Sequence, residues 1–512
     1  MNSRKNRKMK FAIKRTIVDL FQNTSIHGLK YTIERNSSFW ERIFWAMTVC
    51  VMIISSFYLS VLHLRRFVEN PMRSTIITFH GPVNLVPFPA VTICNSNLLL
   101  HSKINLFLKT LDIDTDEKDF LRKSIPQILG FFEIYEYTKL DLYKMEEIFE
   151  KLGYNDLVTV LRKIGPSCDE MLVQCRWNGE AMDCLNIFEE TLTIDGICCS
   201  FNYYGSRFDF MPNYTTNTGW RSGLSVALNP LPQKEQYSTG KSTGVKVTIH
   251  NSMEYPGFER TFKTVSNGFY SFFQITAEKL MNTEEVQYLT KEQRKCVFSG
   301  EKTLTYHKSY HFSNCVAETH SRLLFEFCGC VPFYFTFSVS PKCSISQMEC
   351  LQRYVKERRA IDPTDINCPA RCENVIYKVL TSNVVMNNAS IGLQDVHRRQ
   401  DSSGIRIDVF FTGTHTLLSR DVLTSSLDLL SSIGGIYGLF MGCSIITIVE
   451  LIYYSTLRFS VNLGWLERPR RIHKKRTNNP ESEFRTGRTH RRHDVHRFEW
   501  NNGNSITFGS IG

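Results

Sequence analysis

Two long apolar stretches stand out along a chain whose other residues are mostly polar. The first, residues 43–62, contains no charged side chain, and Trp40 and Trp45 lie near its start. The second, residues 429–449, is followed directly by Glu450. A helix needs about 20 apolar residues to cross a bilayer, and tryptophan is enriched at the membrane surface. The pattern therefore predicts two membrane-spanning helices.

The first stretch has two alternative interpretations, a signal peptide and a buried helix of a soluble protein. Residues 1–42 are mostly polar and basic, and no cleavage site with small residues follows the stretch, which argues against a signal peptide. Its length and the flanking Arg42, Arg65 and Arg66 argue against a buried helix.

The region between the stretches shows both strand-like and helix-like periodicity. Residues 79–95, FHGPVNLVPFPAVTICN, alternate and contain turn residues, and residues 244–255 and 405–415 are typical of strands. Residues 115–165 have helical periodicity in several pieces. We therefore predict an α+β fold, with helices and strands in separate blocks of one large domain between the two transmembrane helices.

Positive charge is concentrated at the two ends of the 512-residue chain. The net charge is +11, with 61 Lys and Arg against 50 Asp and Glu. Residues 1–42 carry ten basic and three acidic side chains, and residues 458–512 carry twelve and five, so the middle is slightly acidic. Because basic segments stay on the cytoplasmic side, both termini are predicted to be cytoplasmic and the large domain extracellular.

The cysteines agree with this orientation. Of sixteen, only Cys50 and Cys443 fall within the spans, and the other fourteen lie between them. An even set in an oxidising compartment favours a disulfide framework; a zinc site at CGC (328–330) and CPARC (368–372) is the alternative. Predicted glycosylation acceptors in the same segment are Asn213 and Asn388.

Motifs for enzyme catalysis are missing from the sequence. It lacks a zinc-protease helix, a nucleophile elbow and a dinucleotide fingerprint, and TGKST (239–243) lacks the leading glycine of a phosphate loop. We predict no enzyme activity, no cofactor and no metal. The basic run RPRRIHKKR (468–476) directly follows a span, which favours contact with anionic lipid, or a solvated tail, over nucleic acid. Membrane lipid is therefore a predicted partner, and nucleic acid is not.

The second apolar stretch has features of a pore. Gly434, Gly438 and Gly442 recur every fourth residue, a stripe that by itself favours close helix packing. Gly442, Cys443 and Ser444 place small residues at mid-membrane, where carbonyls and a hydroxyl are oxygen ligands suited to sodium. Glycine also permits a local break in the helix. Two spans do not enclose a pore, so a channel requires several copies of the chain.

Glu450 places a carboxylate at the end of this stretch. An ionisable residue within a span marks an ion route or a buried partner. Two interpretations remain open: the carboxylate concentrates cations at the inner mouth of a pore, or it extends to the polar interface.

Motifs spread over almost the whole chain resemble the degenerin/epithelial sodium channel family, and most closely its pickpocket branch. SIHGLKY (25–31) resembles the cytoplasmic His-Gly gating motif, at His27 and Gly28. FPAVTICN (88–95) is similar to the family signature after the first span, and IGGIYGLFMGCSIITIVELIYY (433–454) to the second span. The order and spacing of these motifs are specific to the family.

The resemblance implies roles for residues of the second span. It assigns Gly442, Cys443 and Ser444 to the selectivity filter, Gly438 to the amiloride-blocking region, and Ser431 to a gating site that needs a small residue. In acid-sensing relatives an Asp follows this gating site. In this sequence Ser432 follows the gating site, and the nearest upstream carboxylate is Asp428. The serine in place of the aspartate argues against an acidic outer vestibule.

The family's cysteine pattern also implies a set of disulfides. His311 and Ile366 stand where acid-sensing channels have a further pair. The implied pairs are Cys94–Cys198, Cys168–Cys199, Cys175–Cys184, Cys296–Cys372, Cys315–Cys368, Cys328–Cys350 and Cys330–Cys343.

As a whole, the resemblance implies a subunit of a trimeric, sodium-selective, amiloride-sensitive, non-voltage-gated cation channel of the plasma membrane, with a sensory role and sodium as the permeant ion. Its expected partners are two identical or related subunits, with an extracellular ligand or matrix as a further candidate. The expected segments are a cytoplasmic tail (1–42), a first span (43–64), a cysteine-rich extracellular domain (65–428), a second span (429–454) and a basic cytoplasmic tail (455–512). The alternatives are a two-span trimeric ligand-gated channel of another family and a glycosylated two-span receptor or adhesion protein without a pore.

Overall fold

The computed structural model describes residues 2–34, 37–131, 139–154, 156–205, 211–229, 243–257, 262–357, 367–386 and 404–463. The chain divides into two compact units. One unit joins Met1–Ala46 to Ile445–Gly512, and the other is Met47–Ser444. The predicted glycosylation site Asn388 and the basic run 468–476 lie outside the residues that the structure describes.

Helices occur in both units. A π-helical turn, Tyr454–Arg458, joins the last two of them. In chain order the α-helices are α1 (Asn2–Asn23), α2 (Phe39–Glu69), α3 (His101–Thr110), α4 (Thr115–Ser124), α5 (Lys139–Lys151), α6 (Leu157–Ile164), α7 (Cys168–Met171), α8 (Cys184–Ile187), α9 (Lys291–Arg294), α10 (Phe312–Cys328), α11 (Met348–Glu357), α12 (Ser426–Met441), α13 (Ile445–Tyr453) and α14 (Phe459–Leu463).

The strands all belong to the unit Met47–Ser444. They are β1 (Met72–Gly81), β2 (Ala90–Asn95), β3 (Leu172–Trp177), β4 (Glu180–Met182), β5 (Phe188–Thr193), β6 (Gly196–Phe201), β7 (Leu224–Leu228), β8 (Val245–His250), β9 (Phe262–Val265), β10 (Phe269–Asn282), β11 (Cys296–Val297), β12 (Ala370–Arg371), β13 (Asn374–Val385), β14 (Ile405–Phe411) and β15 (His415–Val422).

The larger sheet is organised around the long strand β10. The described strands run in the order β1-β15-β10-β14-β7-β3-β4, and β13 also pairs with β10. β10 runs parallel to β14 and β15 and antiparallel to β13. A second sheet has the order β5-β6-β2-β8-β9. The predicted strands at 79–95, 244–255 and 405–415 are therefore present, within a mixed α+β domain.

The sequence FPAVTICN lies in the core of this domain. Phe88 is fully buried, and its ring meets those of Trp177 and Phe411 edge-on, with centroids 4.8 and 5.5 Å apart. Every residue of β2 is buried because the strand lies between β6 and β8. A separate core joins α3–α6 to α10 and α11, which agrees with the helical periodicity predicted for residues 115–165.

Disulfides join segments throughout this domain. The structure contains Cys94–Cys198, Cys168–Cys199, Cys175–Cys184, Cys296–Cys372, Cys315–Cys368, Cys328–Cys350 and Cys330–Cys343. These are the pairs that the resemblance implies.

His311, which stands where acid-sensing channels have a further cysteine, forms a polar bridge instead. Its Nδ1 lies 3.2 Å from Glu254, and its Nε2 accepts a hydrogen bond from Arg371 at 3.0 Å.

Among the described helices, α2 alone is long and apolar enough to cross a membrane unaided. α12 and the run Ile445–Leu463 meet the same criteria only as one interrupted span. The helical residues therefore extend beyond the predicted spans 43–64 and 429–454 at both ends.

Candidate pore and gating site

The second span is broken at the residues predicted to form the filter. α12 ends at Met441, and Gly442 has φ 68°, a left-handed conformation that glycine adopts without steric cost. Its N–H donates to the Gly438 carbonyl at 2.9 Å, and the Cys443 N–H donates to the Tyr437 carbonyl at 3.2 Å. The helix resumes at Ile445 as α13. The sequence Gly-Cys-Ser is therefore the non-helical link of an otherwise helical span.

This break corrects the predicted glycine stripe. Gly434 and Gly438 lie on α12, but Gly442 does not continue their face, because its left-handed conformation ends the helix. A Cβ built at Gly434 or Gly435 would meet no atom within 4 Å in the described part of the chain. This side of α12 therefore has room for a close neighbour.

The outer end of α12 contains the predicted gating position. Ser431 is exposed on the helix, one residue before the half-buried Ser432. Asp428 forms a capping box with Ser425, whose N–H and hydroxyl donate to the carboxylate at 3.0 and 2.8 Å. The carboxylate nearest the gating position thus stabilises the start of the helix.

The inner end of α12 contacts the first span. The Ser56 hydroxyl of α2 lies 3.8 Å from the sulfur of Met441, the last residue of α12 before the break. Ser56 is fully buried, although most side chains of α2 are not. The two spans of one chain therefore touch beside the break.

The His-Gly motif forms a turn between α1 and α2. Gly28 has φ 80° and begins a short 3-10 helix, Leu29–Thr32. The ring of Tyr31 stacks on that of Trp45 with centroids 4.7 Å apart, so the turn packs against the start of α2. His27 is exposed beside this turn. The glycine is required by its backbone conformation, as the motif suggests.

Ser25, at the start of this motif, binds the second span. Its N–H and hydroxyl donate to one carboxylate oxygen of Glu450 at 3.0 and 3.1 Å. Its hydroxyl oxygen is also 2.7 Å from the buried Thr447 hydroxyl. The sequence indicated an inner mouth or an interface for Glu450 and no role for Ser25 or Thr447.

Two further contacts hold α1 along the same part of the chain. Arg458 of the π-helical turn forms an ion pair with Asp19 at 3.0 Å. The Asn462 side chain donates to the Thr16 hydroxyl at 3.0 Å. With the Ser25 contacts, they fix α1 against the inner half of the second span over about three helical turns.

A match to a known family agrees with this geometry. The model of the family "Amiloride-sensitive sodium channel" matches residues 20–454, from the end of α1 through both spans. The chain belongs to this family. It is 30% identical to "Sodium channel protein Nach" of Drosophila ananassae, over 90% of this chain and 91% of that protein. It is 26% identical to "Pickpocket protein 28" of Drosophila melanogaster, over 87% of this chain and 79% of that protein. It is 23% identical to "Acid-sensing ion channel 1A" of Danio rerio, over 85% of this chain and 87% of that protein.

As a member of the amiloride-sensitive sodium channel family, the chain is an ion-channel subunit and not an enzyme. The family resemblance predicted from the sequence is therefore confirmed. The matched region includes the His-Gly turn, the core motif at Phe88, the break at Gly442 and Glu450.

The extracellular domain contains a charged cluster that the sequence did not indicate. The Glu318 carboxylate of α10 accepts hydrogen bonds from the N–H groups of Thr305, Tyr306 and His307, and lies 2.8 Å from the His307 ring nitrogen. Burial raises the pKa of Glu318, but these hydrogen bonds outweigh it and hold the pKa below its usual value. Thr305, Tyr306 and His307 lie 11 to 13 residues before Glu318 in the chain, so local sequence gives no signal for this cluster.

Proposed function

We propose that the chain is one subunit of a trimeric, sodium-selective, amiloride-sensitive channel of the plasma membrane. Both termini are cytoplasmic, and a mechanical or chemical stimulus acting on the extracellular domain opens the pore. The observation that carries this proposal is the interruption of an apolar span at Gly442–Ser444. Backbone outside a helix is tolerated at membrane depth only where protein or water surrounds it.

The residues of the break suit a filter for sodium. The last carbonyl groups of a helix lack intrahelical donors and need other partners, and a bound cation is a suitable partner. Carbonyl and hydroxyl oxygens replace part of an ion's hydration shell. Three copies placed around an axis would bring Gly442, Cys443 and Ser444 of each chain to one ring, and the room beside Gly434 would admit a neighbouring helix.

The extracellular part of the proposal rests on the disulfides and one described sequon. Asn213 is exposed. It and Asn388 are the proposed glycosylation sites. Asn213→Gln and Asn388→Gln should each remove one glycan, so enzymatic deglycosylation should shift the mobility of either variant on a gel by one glycan less than that of the original protein. An extracellular ligand or matrix contact and a lipid contact of residues 468–476 remain proposals of the same kind.

The test is electrical. Ser431→Val should produce a standing current, because a bulky side chain at this position is expected to hold the gate open. The current should fall when potassium replaces external sodium, and amiloride should block it, with Gly438 substitutions weakening the block.

Ser432→Val is the matched control, since it adds the same side chain one residue later. Absence of current from Ser431→Val, alone or with related subunits, despite protein at the cell surface, would contradict the channel proposal. A current equal in sodium and potassium would contradict only the filter assignment.

A further inference from the structure

An apolar groove lies between α1 and the inner half of the second span. Its volume is about 460 Å³, and its walls include Ile13 and Ile17 of α1 and Ile448, Leu451 and Ile452 of α13. These side chains keep about 40–60% of their surface exposed. The groove belongs entirely to the unit formed by the two ends of the chain.

The lining of the groove is mostly apolar. Ile448 and Ile452 belong to the apolar run that completes the second span, so the proposed function places this wall of the groove at membrane depth. Filling an open apolar groove with water is unfavourable, whereas hydrocarbon fills it without exposing apolar surface. The occupant that matches both the lining and the surroundings is an acyl chain.

Basic side chains border the groove on α1. Lys10, Ile13, Lys14 and Ile17 follow the spacing i, i+3, i+4, i+7, so they share one face of the helix, and both lysines are exposed. α1 has seven Lys or Arg and a single acidic residue, Asp19, which is paired with Arg458. The groove therefore has an apolar wall that suits an acyl chain and a cationic edge that suits an anionic lipid headgroup.

We propose that this groove binds an anionic phospholipid of the cytoplasmic leaflet, with one acyl chain between Ile17 and Ile448 and the headgroup beside Lys10 and Lys14. This inference depends on the proposed function in one respect: it requires that α13 lies within the membrane. The tail at 464–512 is a poor occupant because its eleven basic residues would meet the lysines of α1.

The experiment uses the full chain reconstituted in phosphatidylcholine vesicles that contain a phosphatidylserine bearing a photoreactive acyl chain. Irradiation should label peptides from residues 13–20 and 448–459. Ile17→Trp, which fills the groove, should reduce this labelling several-fold. Phe11→Trp, at an exposed apolar position that does not line the groove, should leave it unchanged.

The headgroup contact is tested with neighbouring charges. Lys14→Gln should weaken the preference for photoreactive phosphatidylserine over photoreactive phosphatidylcholine about fivefold, the value expected for one basic residue at an anionic surface. Arg15→Gln removes the same charge from a different face and should have a smaller effect.

Two results would overturn the proposal. Labelling of α1 no stronger than that of the exposed apolar residues of α2, or unchanged by Ile17→Trp, would exclude the groove as a lipid site. Equal labelling by both lipids would exclude the anionic headgroup. The sodium current of Ser431→Val tests the proposed function separately. Failure of one proposal can therefore be distinguished from failure of the other.

Discussion

Ser25 and Glu450 are hydrogen-bonded although 425 residues separate them in the chain. One residue starts the His-Gly motif, and the other lies six positions after Ser444, the last residue of the proposed filter. The bond joins the N-terminal segment directly to the inner half of the second span. These hydrogen bonds therefore tie the segment that bears the His-Gly turn to α13.

Breaking this bond should loosen the inner half of the span. Hydrogen bonds to a charged group contribute about 1.5–3 kcal/mol, and Ser25→Ala removes the hydroxyl donor while the backbone N–H remains. We expect Ser25→Ala and Glu450→Ala each to lower the melting temperature of the detergent-solubilised protein. The double variant should lose less than the sum, with a coupling of about 1 kcal/mol.

Gln22→Ala, at an exposed position three residues earlier, is the control and should leave the melting temperature unchanged. Strictly additive losses in Ser25→Ala and Glu450→Ala would mean that the bond does not form in the protein.

Gly442 should be sensitive to side-chain substitution because of its φ of 68°. A left-handed conformation costs an ordinary residue about 1–2 kcal/mol, whereas asparagine adopts it more readily. Gly442→Ala should therefore reduce the amount of folded protein at the cell surface more than Gly442→Asn does. Equal surface amounts for the two variants would show that the backbone break is not required.

The Cys168–Cys199 disulfide should stabilise the extracellular domain substantially. It closes a loop between residues 31 positions apart, for which the loss of chain entropy corresponds to about 3–4 kcal/mol. Replacing both cysteines by serine should lower the free energy of unfolding by this amount. Cys50→Ser removes a cysteine that forms no disulfide and should have no such effect.

Peptide mapping without reduction checks the pairing itself. Because Cys198 and Cys199 are adjacent, cleavage must separate them to distinguish this bond from Cys94–Cys198. A fragment that links Cys94 to Cys199 would refute the arrangement.

His250 should make the extracellular domain sensitive to acid. Burial lowers the pKa of His250 to about 4, and its ring nitrogens contact the Thr92 hydroxyl and the Asn251 carbonyl at 2.8 and 3.0 Å. Below pH 6.5 His250 takes up a proton in the unfolded chain, whereas in the folded chain it stays neutral down to about pH 4. Stability is therefore complete above pH 6.5 and falls as the pH drops, by about 3 kcal/mol at pH 4.

His250→Gln keeps a polar side chain without this titration and should flatten unfolding curves measured between pH 4 and 7. His80→Gln removes an exposed histidine and should retain the slope of the original protein. Identical slopes for His250→Gln and the original protein would contradict the assignment.

Much of the architecture follows from contiguous residues. The two spans are recognisable because hydropathy is a local property, and glycine at 442 permits a break there that only the structure shows. The strand at Ala90–Asn95 is predictable from its composition, and confinement of the cysteines indicates disulfides before any pair is known. The family motifs then supplied the pairing.

The contacts that join distant segments depended on the tertiary structure. Ser25, Thr447 and the groove beside Ile17 acquire their roles only where α1 returns to the second span, and nothing in a serine, a threonine or an isoleucine marks that position. The Glu318 cluster depends in the same way on how one loop meets α10. Sequence by itself determined the membrane segments and the confinement of most cysteines to the region between them, since these depend on nearby residues. The tertiary structure alone decided which distant polar groups satisfy one another, because that requires the complete chain path.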